Sequence, residues 1–218
     1  MFEAAIFDWD GTLADTRHPI VVSFHRALKE VGLDVSAEYI ERRIGIGASE
    51  TFRDILRSQG RAVDEVLVKQ LVARKSEVQV ELAEEVKLFG GAAELLAVLQ
   101  GKLHVALASM NNRTVIDHLL KVKGVEKYFE YVMTGDRVVH SKPDPEIFLK
   151  TATELKVAPE RCVVFEDSIF GVKAAKAAGM SCIAVTTGVY NQEELNREKP
   201  DLVAKSLKDP EIARFVHV

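Results

Sequence analysis

Two cysteines, Cys162 and Cys182, are all that the 218 residues contain. They lack Cys-x-x-Cys spacing and each opens an apolar, strand-like run. They therefore read as buried apolar side chains rather than as a disulfide or a metal site. Long hydrophobic runs are missing too, since none approaches the roughly 18 residues a membrane helix needs. An excess of one charge is also missing. Lys and Arg total 29 against 33 Asp and Glu, a formal net charge of −4, which excludes the electrostatic footprint of a nucleic-acid binder. Any phosphate must then be held locally, against the average field of the molecule. The start, Met1-Phe2-Glu3, has neither the basic residues nor the apolar stretch of a secretion signal. A cytoplasmic protein with no nucleic-acid or membrane partner is expected. Repeats and low-complexity segments are absent.

What is present is an ordinary globular composition, 47% apolar and 28% charged, with a clear rhythm. Ala4-Ala5-Ile6-Phe7, His104 to Ala108, Cys162 to Phe165 and Cys182 to Val185 are short runs without in/out alternation. Strands buried on both faces of a parallel sheet read this way. Tyr131-Val132-Met133 is a weaker strand. Between the runs lie helical patterns: Ala92 to Leu99, Thr114 to Val122 stopping at Gly124, Pro145 to Leu155 with Asp144 as its cap, and Ser168 to Ala178 ended by Gly179. Strand and helix alternating in this manner predict an α/β fold, a doubly wound parallel sheet.

One interval breaks the rhythm. About 75 residues separate the first strand from the helix beginning near Gly91, although a parallel crossover needs only about a dozen. Val21, Phe24, Leu28 and Val31 mark one amphipathic face there, and Leu67, Leu71, Val78 and Leu82 another. Ser36 caps a helix through Ile40, and Gly60 closes one through Leu56. Residues 16–84 are thus expected to form an all-helical cap domain inserted into an α/β core of residues 1–15 and 85–218.

In open α/β sheets, ligands bind beyond the carboxyl ends of the strands. The first strand is followed by Asp8-Trp9-Asp10-Gly11-Thr12-Leu13 and the second by Ser109-Met110-Asn111-Asn112-Arg113. The third leads to Ser141-Lys142-Pro143-Asp144-Pro145, and the fourth to Glu166-Asp167-Ser168. By average composition Asp-x-Asp-Gly-Thr arises by chance in about one chain in 400 of this length. Its position directly after strand one, with a lysine and an acidic pair after later strands, makes a structural accident a poor reading.

This ordered set, Asp-x-Asp-Gly-Thr-Leu, Ala-Ser-Met-Asn, Ser-Lys-Pro-Asp-Pro and Phe-Glu-Asp-Ser, resembles the haloacid dehalogenase superfamily over nearly the whole chain. The insert resembles the helical cap of the branch that holds phosphoglycolate phosphatases, sugar-phosphate phosphatases and β-phosphoglucomutases. The resemblance implies a Mg²⁺-dependent phosphomonoester hydrolase acting on a small phosphorylated metabolite through an aspartyl-phosphate. It implies Asp8 as nucleophile, with Asp8, Asp167 and the backbone carbonyl of Asp10 as metal ligands and Glu166 as a further one.

The chemistry stands beside the resemblance. A phosphate dianion repels an attacking carboxylate: two unit charges 4 Å apart cost about 4 kcal/mol at an effective dielectric of 20. A divalent cation in oxygen ligands, with Lys142 beside it, offsets that repulsion. Ser109 and backbone N–H groups are expected to hold phosphoryl oxygens. Asp10, two positions past Asp8 across a turn that Gly11 permits, is placed to protonate the leaving alcohol and then deprotonate water. Asn111 reads either as a contact to phosphate or to a metal-bound water, or as a helix cap. Arg113, and less so Arg17, His18, Arg42 and Arg43, are candidates for a substrate carboxylate or hydroxyl. Trp9 is expected to pack on the neighbouring loop.

Relative to the mutases of that branch, Ile20 stands where they carry a histidine and Ala48 where they carry an arginine. Hydrolysis is therefore expected over phosphosugar mutation. An aspartate-phosphorylated signalling module would place its phosphoacceptor on a middle strand in sequence order, whereas Asp8 ends the first. Gly45-Ile46-Gly47 resembles the Ile-Gly-x-Gly turn of phosphoglycolate phosphatases.

Overall fold

In the computed structural model, which describes residues 1–217, the apolar runs become adjacent parallel strands. They are β1 (Ala4–Phe7), β4 (His104–Ser109), β5 (Tyr131–Thr134), β6 (Cys162–Glu166) and β7 (Ser181–Val185). A sixth strand, β8 (Leu202–Ala204), completes a sheet of order β5-β4-β1-β6-β7-β8. Every pairing in it is parallel, with Ile6 opposite both Ala106 and Val164. Strand order reverses at β1, so the crevice at that switch point is the expected ligand position.

Both faces of the sheet are covered, which is why its strands are apolar throughout. Ala5 and Phe7 point into one core with helices α5 (Ala92–Leu99), α6 (Arg113–Lys123) and α10 (Pro210–Val216). Ala4 and Ile6 point into the other with α7 (Glu146–Leu155), α8 (Ile169–Ala177) and α9 (Gln192–Arg197). Phe7 and Phe165 stack across β1 and β6 with ring centres 4.2 Å apart. The local signals act as expected: Ser168 Oγ accepts from Gly171 N at the start of α8, and Gly124 ends α6 in the left-handed conformation. Asp144 Oδ1 accepts from Glu146 N at the start of α7. Cys162 and Cys182 are free and buried. Trp9 is fully buried in the first core, in a cluster that includes Leu13 and Ala14 of the adjoining turn, and its Nε1 has no partner.

The interval after β1 contains α1 (Arg17–Lys29), α2 (Ala37–Glu41), α3 (Ala48–Ser58) and α4 (Glu65–Glu81). These helices have a hydrophobic core of their own, in which Phe24, Leu28, Phe52, Ile55 and Leu71 meet. Two-residue strands β2 (Ala14–Asp15) and β3 (Lys87–Leu88) pair antiparallel where the chain leaves and re-enters the sheet. No helix among the described residues is long and apolar enough to cross a membrane.

Candidate active site

Asp8 follows the last residue of β1, and its N–H donates to the carbonyl of Phe165 on β6 at 3.0 Å. The chain then turns back on itself: Leu13 and Ala14 both donate to the carbonyl of Trp9. Gly11 has φ +86°, and a Cβ there would overlap the carboxylate of Asp167. Glycine is thus required twice, for its backbone and for its lack of a side chain.

Three carboxyl groups and one ammonium fill the end of the switch point. Lys142 Nζ donates to Asp8 Oδ1 at 2.7 Å and to Glu166 Oε1 at 2.6 Å, and all three side chains are buried. Glu166 Oε2 accepts from Asp167 N, Ser168 N and Ser168 Oγ, so both of its oxygens are engaged. Asp167 Oδ1 accepts from Thr12 Oγ1 at 3.1 Å. Burial pushes the carboxyls of Asp8 and Asp167 well above the ordinary range, and neighbouring acids add to the rise. Lys142 is held above its usual value by Asp8 and Glu166, against the opposing effect of its own burial. One oxygen from each of Asp8, Glu166 and Asp167 lies within 4.8 Å of the others. A buried, all-oxygen, acid-rich donor set that its one shared lysine does not neutralise fits Mg²⁺.

Asp10 sits beside this cluster in different company. Its Oδ1 accepts from Thr16 Oγ1 at 2.8 Å, and its Oδ2 accepts from Asn111 Nδ2 at 2.6 Å. Asn111 Oδ1 in turn accepts from Lys75 Nζ at 2.8 Å, a buried lysine of α4 that also donates to Gln79. Burial raises the Asp10 carboxyl, while Lys75 opposes that rise. The same burial lowers Lys75 to about 8.

The family model for haloacid dehalogenase-like hydrolases matches residues 5–185. The chain belongs to that family. Among its relatives is the phosphorylated carbohydrates phosphatase of Thermotoga maritima, 35% identical over 83% of both chains. Among solved structures, CbbY from Rhodobacter sphaeroides in complex with phosphate superposes with a TM-score of 0.83, is 30% identical and covers 95% of each chain. A β-phosphoglucomutase from Clostridium difficile gives a TM-score of 0.83 at 26% identity, covering all of this chain and 97% of its own. The branch inferred from the motifs is therefore the one to which this family member is related.

Within this hydrolase, Asp8, Asp10, Ser109, Asn111, Lys142, Glu166 and Asp167 are all buried at the carboxyl edge of the sheet. Ser109 is fully buried at the end of β4, its Oγ accepting from Asn111 N at 3.2 Å. Asn111 does not cap a helix; Asn112 caps α6 through Val115 N, which leaves Asn111 free to face Asp10. Arg113 is not brought to the site. As the first residue of α6 it turns its exposed guanidinium to Asp117 and to the carbonyl of Val132. Arg17 reaches the carbonyl of Gly188, and His18 lies exposed near Glu85. Arg43 stacks on Tyr39 and also lines a small hollow beside Asp10.

Lys75 is the residue that the sequence reading passed over. It lies four residues after Leu71 and three before Val78, on the apolar stripe of α4. A lysine at a core position of an amphipathic helix was the available signal. Thr12 and Thr16, which hold Asp167 and Asp10, carried none beyond their nearness to the motif.

Proposed function

We propose that this chain is a Mg²⁺-dependent phosphomonoester hydrolase that works through an aspartyl-phosphate on Asp8, with residues 16–84 as a cap over a core of residues 1–15 and 85–218. The observation that carries the reading is the separation of roles between two neighbouring aspartates. Asp8 faces an ammonium and two further acids, whereas Asp10 is held by a hydroxyl and an amide.

Lys142 engages Asp8 Oδ1, which leaves Oδ2 to attack phosphorus, and its charge lowers the repulsion between carboxylate and phosphate. Glu166 fixes that ammonium. Asp8, Asp167 and the Asp10 carbonyl would hold Mg²⁺, with Glu166 at its edge. The cation supplies charge neutralisation at the phosphoryl oxygens. Asp10, whose raised carboxyl retains a proton more readily than an exposed one, gives it to the departing alcohol oxygen and later takes one from the attacking water. Ser109 and the N–H groups after β4 bind phosphoryl oxygens.

Relatives named as phosphatases of phosphorylated carbohydrates, and the phosphate complex of CbbY, support a small phosphorylated metabolite as substrate. Hydrolysis is proposed over mutation because Ala48, which lines the hollow beside Asp10, stands where the mutases of the branch carry an arginine. Hydrolysis of an aryl phosphate in Mg²⁺, stopped by EDTA and by Asp8→Asn, tests the proposal. Full turnover by Asp8→Asn at equal metal loading would refute it.

A further inference from the structure

Asp167 Oδ2 lies in a slot between two glycines. A Cβ on Gly11 would overlap that oxygen, and so would a Cβ on Gly188. One wall of the slot is the turn after β1. The other is residues 186–191, the loop between β7 and α9. Gly188 lies outside the left-handed region, so there the requirement for glycine is one of space alone.

The two walls are tied together. Thr187 Oγ1 donates to the carbonyl of Gly11 at 2.6 Å, partly shielded from solvent. The other oxygen of the carboxylate, Oδ1, accepts from Thr12 Oγ1 at 3.1 Å. One oxygen of Asp167 is thus held by a hydroxyl and the other by two stretches of backbone. Thr187 is neither acidic nor a member of the cluster formed by Asp8, Glu166 and Asp167, so its hydroxyl has no part in the chemistry set out above.

The same loop reaches the helical insert. Arg17, the first residue of α1, donates from Nη2 to the Gly188 carbonyl at 2.9 Å. Tyr190 donates to the Arg42 carbonyl at 2.6 Å. The hollow left among Arg17, Asp167, Thr187 and Gly188 is about 10 Å³, at the lower limit for a single water. The loop therefore closes this side of Asp167 and opens no path to it.

Resting on the Mg²⁺ reading above, we propose that Thr187 and Gly188 are positioning residues for the cation, acting through Asp167. The Thr187 tie sets the width of the slot, and the slot sets the direction in which the carboxylate presents an oxygen. Arg17 links that width to the insert. A ligand held still beforehand loses less freedom when the cation arrives, and partners of this outer kind account for about 10- to 100-fold in metal affinity. The linkage is reciprocal, so a change at the Arg17 contact shifts cation affinity in turn.

The test is calorimetric titration of Mg²⁺ into wild type, Thr187→Val, Thr187→Ser, Gly188→Ala and Arg17→Ala. No substrate is present, so a direct contact between Arg17 and substrate does not enter. Thr187→Val is expected to bind Mg²⁺ about tenfold more weakly, and Thr187→Ser, which keeps the donor, within about twofold of wild type. Gly188→Ala is expected to lose about 10²-fold. Arg17→Ala should lose about threefold; its side chain is exposed, so it tests the link even if Gly188→Ala does not fold. A merely structural role would lower the thermal midpoint and leave the Mg²⁺ affinity of the folded protein unchanged. Equal affinity in wild type and Thr187→Val, or equal weakening in Thr187→Val and Thr187→Ser, would overturn the proposal. Unchanged affinity in Arg17→Ala would overturn the link to the insert. Absence of Mg²⁺ binding to wild type would overturn the metal reading and this proposal with it. Affinities in the expected order without phosphate ester hydrolysis would refute the hydrolase reading alone.

Discussion

The guanidinium of Arg42 lies 4.2 Å from the ring centre of Tyr190, and the hydroxyl of Tyr190 donates to the Arg42 carbonyl at 2.6 Å. Arg42 belongs to the helical insert, while Tyr190 is buried in the second core of the sheet. Glu194 completes the junction, accepting from Arg42 at 2.6 Å. Burial pushes the Tyr190 phenol up to about 12, so it remains a donor through the neutral range. These contacts fasten one edge of the insert over the site.

Arg42→Ala is expected to loosen that edge. A partly exposed ion pair contributes about 0–1 kcal/mol and an exposed cation–π contact about 0.5–1 kcal/mol. The sum, at most about 2 kcal/mol, corresponds to a KM rise of up to about thirtyfold, with kcat changed less, in steady-state kinetics on an aryl phosphate. An unchanged KM would mean that this junction does not bear on substrate binding.

Gly171 lies in α8 directly behind Glu166, and a Cβ at that position would overlap the Glu166 carboxylate. Gly171→Ala should therefore displace Glu166 and with it Lys142. Misplacement of such a group by about 1 Å costs on the order of 10²-fold in rate. The expected outcome is a kcat loss of that size with native far-ultraviolet circular dichroism.

The fold was legible because its determinants are local. Four apolar runs had to be strands buried on both faces, Ser168 and Ser36 mark helix starts by accepting from a backbone N–H three residues on, and Gly124 marks an end by its left-handed backbone. Strand β8 was not legible, since three residues of which only Ala204 is buried make no distinctive run. The gathering of Asp8, Asp10, Lys142, Glu166 and Asp167 at one sheet edge was legible, because polar residues at strand ends cluster in sequence. Lys75 went unread, and Arg113 was expected at the site, for a common reason. A side chain's direction depends on tertiary packing, and nearness to a motif favours Arg113 even though α4 delivers Lys75 from 36 residues before Asn111.

Lys75 gives a pH prediction. Its value falls from an ordinary 10.5 to about 8 on folding because burial disfavours the charged form. Between pH 8 and 10.5 the unfolded chain therefore binds more protons at this group than the folded one, and stability contributed by it rises with pH. The full penalty below pH 8 is on the order of 3 kcal/mol. Urea unfolding at pH 7.5 and 9.5 should show wild type gaining on Lys75→Met at the higher pH. A constant difference would contradict the assignment.

Mg²⁺ should raise the thermal midpoint, because it binds the folded donor set and relieves repulsion among Asp8, Glu166 and Asp167. In Asp167→Asn the increase should be largely lost. An equal increase in both proteins would place the cation elsewhere.

Trapping the covalent species tests the central claim most directly. Steady-state turnover in Mg²⁺ is quenched with borohydride, which reduces an acyl phosphate to an alcohol, and the peptides are read by mass spectrometry. Conversion of Asp8 to homoserine, absent without substrate and absent at Asp10, is predicted. Quenched protein with Asp8 unmodified at full turnover, or with reduction at another carboxylate, would contradict it.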